Sequence, residues 1–159
     1  MLNEYLKKRK FDLPAGKAGR TSEPKPGSIK DVLKKSIFVI QKHAARNLHY
    51  DFRLSIAGVL KSWAVPKGVP EKPDKKILAI QTEDHPLEYA DFTGKIPEGQ
   101  YGAGKIEIWD KGSFEMISGS VEKGHLQFKL LGDKLKGSYN LVKFKEQDNK
   151  DLWLIFKKE

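Results

Sequence analysis

Three side chains that could do chemistry alternate along one short stretch of the chain: His49, Asp51 and Arg53. Aromatic residues lie between them, so residues 49–56 predict a β-strand with two different faces. Because successive strand side chains point to opposite faces, the imidazole, the carboxylate and the guanidinium would stand in a row about 7 Å apart. Such a row could supply a metal ligand, a proton donor and a phosphate clamp. A solvated strand face with an Asp–Arg ion pair is the simpler interpretation, since such faces are common in antiparallel sheets.

Two further histidines, His43 and His85, end other segments that predict strands. Side chains at strand ends commonly build sites on a rigid scaffold. With Asp51 they would form a set of two imidazoles and one carboxylate, which suits divalent transition ions and leaves positions for water and substrate. The three residues come from separate segments, so surface or hydrogen-bonded histidines stay an open alternative. The fourth histidine, His125, has no motif around it and is interpreted as structural.

Arg53, His49 and Lys67 are candidate phosphate contacts. The planar fork of Arg53 could hold a phosphate through two hydrogen bonds, and an ion pair to a neighbouring carboxylate is the alternative. A protonated His49 could donate to the same phosphate or to a leaving oxygen. Lys67 could lie beside a phosphate, although most lysines face solvent. The glycine-rich segment 96–104 matches no nucleotide-binding fingerprint, so we interpret it as a turn into the next strand, with a wall of the site as the alternative.

Composition limits the class of protein. The 159 residues carry 30 Lys and Arg against 21 Asp and Glu, a formal net charge of +9, which suits a polyanionic partner such as nucleic acid. A merely basic soluble protein is the alternative. The absence of cysteine excludes disulfides, thiolate zinc sites and cysteine nucleophiles. No apolar run approaches the roughly 20 residues of a membrane span, and the N-terminus lacks a signal-peptide pattern, so we expect a cytoplasmic protein.

Short strands separated by turn residues dominate the chain from Ile37 onward. The pattern predicts an all-β fold, a compact antiparallel barrel or a sandwich. Residues 1–36 predict a basic N-terminal arm and connector with a short helix at its start, and residues 37–159 a single domain. Ala57-Gly58 is a signal for a tight hairpin. The predicted strands are 37–42, 49–56, 59–65, 76–83, 105–109, 113–117, 125–131, 138–145 and 152–157, with a long connection at 84–101.

Six blocks follow one another along the chain: Phe38-Val-Ile-Gln-Lys-His43, Leu48-His-Tyr-Asp-Phe-Arg-Leu54, Lys61-Ser-Trp-Ala-Val-Pro-Lys-Gly68, Glu83-Asp-His-Pro-Leu-Glu-Tyr-Ala-Asp-Phe92, Ile96-Pro-Glu-Gly-Gln-Tyr-Gly-Ala-Gly104 and Trp109-Asp-Lys-Gly112. In this order they resemble the 3′-phosphoesterase domain of bacterial DNA ligase D. The resemblance runs from about residue 37 to residue 154 and is specific, because several blocks occur in the same order.

The resemblance implies a β-barrel and a manganese-dependent hydrolase that acts on 3′ ends of DNA or of primer-templates. Such an enzyme removes a 3′-terminal ribonucleoside, then the 3′-phosphate that is left, and exposes a 3′-hydroxyl. We expect Mn²⁺, with Co²⁺ or Zn²⁺ as alternatives, and no other cofactor. By position, the resemblance implies His43, Asp51 and His85 as metal ligands and His49, Arg53 and Tyr89 around the reactive phosphate.

The resemblance continues with changes into the N-terminal region. The family's Lys-Arg-Asp-Phe segment corresponds to Lys8-Arg9-Lys10-Phe11, with Lys10 in the acidic position, and Glu23 keeps its place in a Thr-x-Glu-Pro motif. Arg9 and Glu23 are therefore expected substrate contacts. The chain carries no ligase or polymerase domain. We expect a free-standing monomer that works with a separate DNA ligase, polymerase and end-binding protein in non-homologous end joining.

Two other function classes stay open. A non-catalytic nucleic-acid-binding barrel would explain the positive charge but not the set of two histidines and one aspartate. A metal-dependent oxygenase could use the same ligands, but it would need a small organic co-substrate and gives no reason for the basic surface. A bound transition ion would separate the enzyme from the simple binding barrel.

Overall fold

The structure, a computed structural model, describes residues 36–100 and 103–158. Within these residues it contains nine β-strands and one short 3-10 helix, Leu87–Asp91. The strands are β1 (Ile37–Ala44), β2 (Leu48–Ile56), β3 (Val59–Val65), β4 (Ile77–His85), β5 (Gly94–Ile96), β6 (Gly104–Ser120), β7 (His125–Gly132), β8 (Lys136–Gln147) and β9 (Lys150–Lys157). Every strand pair is antiparallel.

The sheet closes on itself. Its strand order is β1-β2-β3-β4-β9-β8-β7-β6-β5, and β1 also pairs with β6, so that eight strands form a closed barrel. Strand β5 lies outside the barrel and pairs with the first residues of β6. Closure pairs the strand edges that would otherwise be open to other chains. The predicted all-β antiparallel barrel is confirmed.

Aromatic side chains fill the interior of the barrel. Phe52 of β2 is fully buried and stacks on Phe128 of β7, with 5.8 Å between the ring centroids. Trp63 and Trp153 meet edge to face at 5.6 Å. Both are arrangements that aromatic pairs prefer, so they add specific contacts to the burial of apolar area. We call this face of the strands the inner face.

A second buried cluster lies on the opposite, outer face of the barrel wall, on strands β1, β3 and β6. It consists of Val39, Leu60, Tyr89, Ala90 and Ile106, with Leu87 and Phe92 packed against it. The segment with the 3-10 helix thus covers part of the barrel wall. Polar residues that alternate with inner-face residues in β1 and β2 are consequently buried as well, and they include Gln41, His43, Asp51 and Arg53.

Two hairpins use tight turns. Ala57 and Gly58, between β2 and β3, have φ angles of 53° and 84°, and Asp148 and Asn149, between β8 and β9, have 53° and 63°. Positive φ at both central residues is the pattern of a type I′ turn, whose twist matches that of the flanking strands. The hairpin predicted at Ala57-Gly58 is confirmed.

The sequence prediction was wrong about strand β6. The predicted strands 105–109 and 113–117 form one strand, Gly104–Ser120. Asp110 lies in its middle, between the two predicted strands, and its buried carboxylate accepts hydrogen bonds from the backbone N–H groups of Lys111, Asp133, Lys134 and Leu135. These bonds compensate the buried charge, so the strand can continue.

Other differences lie at the ends of predicted segments. The predicted connection 84–101 contains the 3-10 helix and β5, which are short and depend on packing against the outer-face cluster. The predicted N-terminal helix and nearly all of the arm fall on residues 1–35, which lie outside the described residues, and β1 starts at Ile37. In the described part of the chain, no helix has the length and apolar character needed to cross a membrane.

Candidate active site

The hairpin of β1 and β2 forms the centre of the candidate site. Its register places His43 opposite His49 and Gln41 opposite Asp51. Directly opposed residues of antiparallel strands have Cβ atoms about 5 Å apart, so these four side chains share one small area of the outer face. The rings of His43 and His49 lie 4.8 Å apart between centroids. Arg53 extends the same face of β2.

His43, His49 and Asp51 form a group that could hold a metal ion. Each offers one ligand atom, and the three atoms lie within 4.8 Å of one another. His43 Nδ1 is 3.4 Å from Asp51 Oδ2, and His49 Nε2 is 3.2 Å from Asp51 Oδ1. Two imidazole nitrogens and one carboxylate oxygen are a donor set that suits divalent transition ions. The residues present therefore fit a metal site.

Hydrogen bonds prepare His49 and Asp51 for this role. His49 Nδ1 lies 3.1 Å from the carbonyl oxygen of Asn47, to which it can donate, and this contact fixes the ring with Nε2 toward Asp51. The hydrogen bond to Asp51 is the main cause that raises the pKa of His49, against the effect of burial. Burial raises the pKa of Asp51, but hydrogen bonds from His43 and His49 and the charge of Arg53 outweigh burial and lower this pKa far below its usual range. Asp51 is thus an ionised acceptor at neutral pH.

Arg53 is buried beside this group, with 3 % of its surface exposed. Its Nε donates to Gln41 Oε1 at 2.6 Å, and its Nη1 donates to Ser62 Oγ at 2.8 Å. Its Nη2 lies 3.5 Å from Asp51 Oδ2. A buried guanidinium held on two sides has little rotational freedom left, so it presents a fixed edge toward the metal-ligand group.

His85 reaches the outer face through a β-bulge. Leu60 pairs with His85 and Ser62 with Thr82, so three steps along β4 match two along β3. The extra residue reverses the alternation of β4, in which Ala79 faces the barrel core, and turns His85 toward the side of Ser62. A bulge of this kind depends on how two strands pair, so the sequence of one strand does not predict it.

His85 contacts Arg53 and the backbone of its own strand. Its Nδ1 lies 2.9 Å from Arg53 Nη1 and 2.9 Å from the carbonyl oxygen of Glu83. It can donate to Glu83 or accept from Arg53, but one nitrogen does not do both. We expected His85 to complete the metal set and His49 to contact the phosphate. In the described structure His49 is grouped with His43 and Asp51, and His85 lies against Arg53.

Tyr89 lies in the 3-10 helix and is 5 % exposed. Its ring stacks on Phe92, with 4.9 Å between centroids and planes 8° apart, and it lies 5.0 Å from the ring of His85. The guanidinium carbon of Arg53 is 4.8 Å from the centroid of the Tyr89 ring. Tyr89 therefore packs against both residues that could contact a phosphate.

Of the candidate substrate contacts Lys67, Arg9 and Glu23, the structure describes only Lys67. Lys67 is exposed just after β3 and lines a groove of about 670 Å³, together with Lys72, Lys75 and Lys76. Strand β3 pairs with β2 next to Asp51 and Tyr50, so this groove begins at the same end of the barrel as His49. Arg9 and Glu23 lie outside the described residues.

The sequence analysis missed two residues of this network, Gln41 and Ser62. Both are fully buried and both contact Arg53. Gln41 shares the outer face of β1 with His43 by simple alternation, so the strand pattern could have pointed to it. The glycine-rich segment ends beside the site: a Cβ on Gly104, whose φ is +135°, would lie 2.5 Å from the carbonyl oxygen of Ala44.

Comparisons of the sequence with known proteins identify a family. The model of the family "DNA Ligase D 3'-phosphoesterase domain" matches residues 41–143. The multifunctional non-homologous end joining protein LigD of Pseudomonas aeruginosa is 45% identical over 159 residues, which is 98% of this chain and 18% of that protein. The non-homologous end joining DNA repair protein LigD of Mycobacterium tuberculosis is 47% identical over 139 residues, 86% of this chain and again 18% of the relative.

The matched region contains the β1–β2 hairpin from Gln41 onward, the bulge that places His85, and the 3-10 helix with Tyr89. The chain spans about a fifth of the length of these relatives. A family match over more than half of the chain, together with relatives above 40% identity, leaves one assignment. The chain belongs to the DNA ligase D 3′-phosphoesterase domain family.

Proposed function

We propose that this chain is a metal-dependent hydrolase that clears blocked 3′ ends of DNA. It would remove a 3′-phosphate, and a 3′-terminal ribonucleoside before it, to leave a 3′-hydroxyl that a ligase or polymerase can use. One observation carries the proposal: three ligand atoms of His43, His49 and Asp51 lie beside the buried guanidinium of Arg53. A metal site next to a fixed cation suits a phosphate, whose oxygens both can neutralise.

The metal site of the proposal consists of His43, His49 and Asp51. Their donor set fits Mn²⁺, which the family resemblance favours, and also Co²⁺ or Zn²⁺. When bound, such an ion would act as a Lewis acid on a phosphate oxygen and could position the attacking water. Asp51 provides the negative charge, and the contact of His49 with the Asn47 carbonyl keeps one ring nitrogen directed at the site.

The remaining residues would handle the phosphate and the proton. Arg53 would bind a second non-bridging oxygen through its Nη2 edge, where charge grows in the transition state. His85 contacts both Arg53 and the Tyr89 ring and would donate a proton to the leaving oxygen of the sugar. Tyr89 would orient a phosphate oxygen by a hydrogen bond. His49 moves, in this proposal, from a phosphate contact to a metal ligand.

DNA would be held mainly through its backbone. The net charge of +9 and the lysine-lined groove that begins at Lys67 support a path for phosphates that lead away from the site. Affinity should then fall steeply with salt and depend little on base sequence. The names of the relatives support a place in non-homologous end joining. We expect the chain to act there with a DNA ligase, a polymerase and an end-binding protein. The cytoplasmic location and monomeric state stay predictions from the sequence.

The test uses two primer-templates, one with a 3′-phosphate and one with a single 3′-terminal ribonucleotide. With Mn²⁺ we expect phosphate release from the first and shortening of the second, and no turnover after chelation. The Asp51→Asn variant should be inactive on both. Failure of the folded, Mn²⁺-loaded protein to convert either substrate would overturn the proposal. Because Lys10 replaces an acidic residue, conversion of the first substrate alone would limit the function to phosphate removal.

A further inference from the structure

Trp109 is a partly exposed aromatic residue that the proposed site does not use. Its two neighbours in β6 pair with consecutive residues of β1, so Trp109 itself is the extra residue of a β-bulge. A bulge re-aims a side chain, and the Trp109 ring packs at the edge of the inner-face cluster. The other two tryptophans, Trp63 and Trp153, are fully buried. Trp109 is therefore the tryptophan that a ligand can reach.

Tyr50 meets this ring at the mouth of the barrel, the end at which the β1–β2 turn and the loop after β3 lie. The two rings are edge to face, with 5.9 Å between their centroids. Tyr50 is partly exposed, and a Cβ at Gly68 would lie 3.4 Å from two carbons of its ring. The φ of Gly68, +86°, favours glycine. Residue 68 therefore places no side chain over the Tyr50 ring.

Positive charge borders the two rings. Nζ of the exposed Lys134, in the loop between β7 and β8, lies 4.4 Å from the centroid of the Trp109 ring, a cation–π contact. Gly68, beside Tyr50, also lines the groove that begins at Lys67, whose lining holds four lysines against two carboxylates. The rings thus continue a groove of net positive charge. This combination suits a polyanion that carries flat apolar groups, which describes a nucleic acid strand.

We propose that Tyr50, Trp109 and Lys134 form a stacking platform for one unpaired base of the DNA strand opposite the reactive 3′ end. The proposal rests on the proposed function, in which the reactive strand ends at the metal site. Tyr50 lies between His49 and Asp51 in β2, so the platform adjoins that site. The other bases of the reactive strand are paired, and their neighbours cover both faces of each. The opposite strand continues past this point with bases whose faces are free.

Binding exchanges partners around Lys134. A base stacked on Trp109 takes the place of the ammonium over the ring, and the ammonium can then pair with a phosphate of the same strand. Every base has a π face, so stacking on an aromatic side chain tolerates any sequence. The platform thus holds the opposite strand without reading it. An aromatic pair that only closed the end of the barrel would affect stability alone.

The test uses a primer-template that ends in a 3′-hydroxyl, with a chelator present, so that binding is measured apart from hydrolysis. Abasic sites replace, one at a time, the unpaired template bases next to the duplex and the terminal primer base. Tryptophan fluorescence reports on Trp109, because Trp63 and Trp153 are fully buried and give a constant background. Trp109→Leu is compared with Trp109→Phe, which keeps a ring. Phe144→Leu is the matched control, because Phe144 is an aromatic residue, 51 % exposed, in the second half of β8.

We expect the normal template to quench part of the emission, and one abasic template to remove this quenching and to lower the affinity about tenfold. Trp109→Leu should lose the same factor in affinity, Trp109→Phe should recover most of it, and Phe144→Leu should bind like the wild-type protein. Lys134→Met should lower the slope of log affinity against log salt by about one, and Trp109→Leu should leave that slope unchanged. Quenching and affinity that no abasic template changes would overturn the proposal, as would dependence on the terminal primer base instead.

A second measurement needs no variant and keeps the proposal testable if Trp109→Leu does not fold. Acrylamide should quench the emission of the free wild-type protein through the exposed part of Trp109, and saturating primer-template should protect it. Complete protection in the free protein would overturn the proposal, because another part of the chain would then cover the ring. Template binding without any hydrolysis would refute the proposed function and leave the platform. Normal hydrolysis with no effect of abasic templates would refute the platform alone.

Discussion

Replacement of Arg53 by methionine should separate the chemistry from metal binding, because it should lower the rate of hydrolysis and raise the affinity for the metal. The side chain is 3 % exposed, so methionine fills most of its volume without adding a charge. The change removes the donors to Gln41 and Ser62 and the cation 3.5 Å from Asp51 Oδ2. Leaving two buried polar groups without their partner costs about 1–3 kcal/mol each, so the melting temperature has to be measured first.

The size of both effects follows from these distances. Loss of one fixed donor from a developing anion lowers kcat by about 10²–10³. An ion held by Asp51 would lie within roughly 6 Å of the Arg53 charge, given metal–oxygen distances near 2 Å. At that distance a unit charge repels a divalent ion by at least about 1 kcal/mol, even with the dielectric constant of water. The Arg53→Met variant should therefore bind Mn²⁺ at least about fivefold more tightly than the wild-type protein does.

The assay pairs single-turnover hydrolysis of a 3′-phosphate primer-template, at saturating Mn²⁺, with a direct Mn²⁺ titration. Arg53→Lys is the matched control, since lysine keeps the charge but loses the planar fork, and it should lose activity without a gain in metal affinity. A folded Arg53→Met protein whose Mn²⁺ affinity falls in step with its activity would refute the reasoning, because Arg53 would then belong to the metal site.

Four other predictions follow from particular contacts. Mn²⁺ affinity should rise with pH and level off only above pH 6.5, because the raised pKa of His49 lets protons compete with the metal; titrations between pH 5.5 and 8.5 check this. In the metal-free protein the raised pKa of His49 stabilises the fold below pH 6.5. Urea unfolding should show that this contribution to the free energy of unfolding is lost as pH rises through the folded-state pKa. In the Asp110→Asn variant, one orientation of the new amide places a donor where the Leu135 N–H needs an acceptor. The free energy of unfolding, measured by calorimetry, should fall by about 2–3 kcal/mol, with Mn²⁺ affinity unchanged. His85→Asn should abolish hydrolysis yet retain Mn²⁺, whereas His49→Asn should lose the ion; equal retention in both would contradict the assigned ligands.

Strand alternation carried the sequence prediction furthest. It placed His49, Asp51 and Arg53 on one face, and in the structure the carboxylate of Asp51 contacts both of the others. The barrel was predictable for the same reason, because short alternating strands between turn residues have few other solutions. Alternation within one strand was sufficient to predict the face of the sheet on which a side chain of that strand lies.

Features that depend on pairing between strands were not predictable in this way. The bulge that turns His85 outward exists only in the register of β3 with β4. The position of His49 beside His43 follows from the β1–β2 hairpin register, in which the two imidazoles are directly opposed. The hydrogen bonds of Gln41 join β1 to a 3-10 helix about 50 positions away along the chain. No alternation within one segment contains this information.

The central claim is that His43, His49 and Asp51 hold one divalent ion beside Arg53. Anomalous diffraction at the manganese edge, from crystals grown with Mn²⁺, tests it most directly. We predict a single strong peak about 2 Å from a nitrogen of each of these two histidines and from an oxygen of Asp51, with His85 outside the coordination sphere. A peak coordinated by His85 in place of His49, or a well-ordered hairpin without a peak, would contradict the claim.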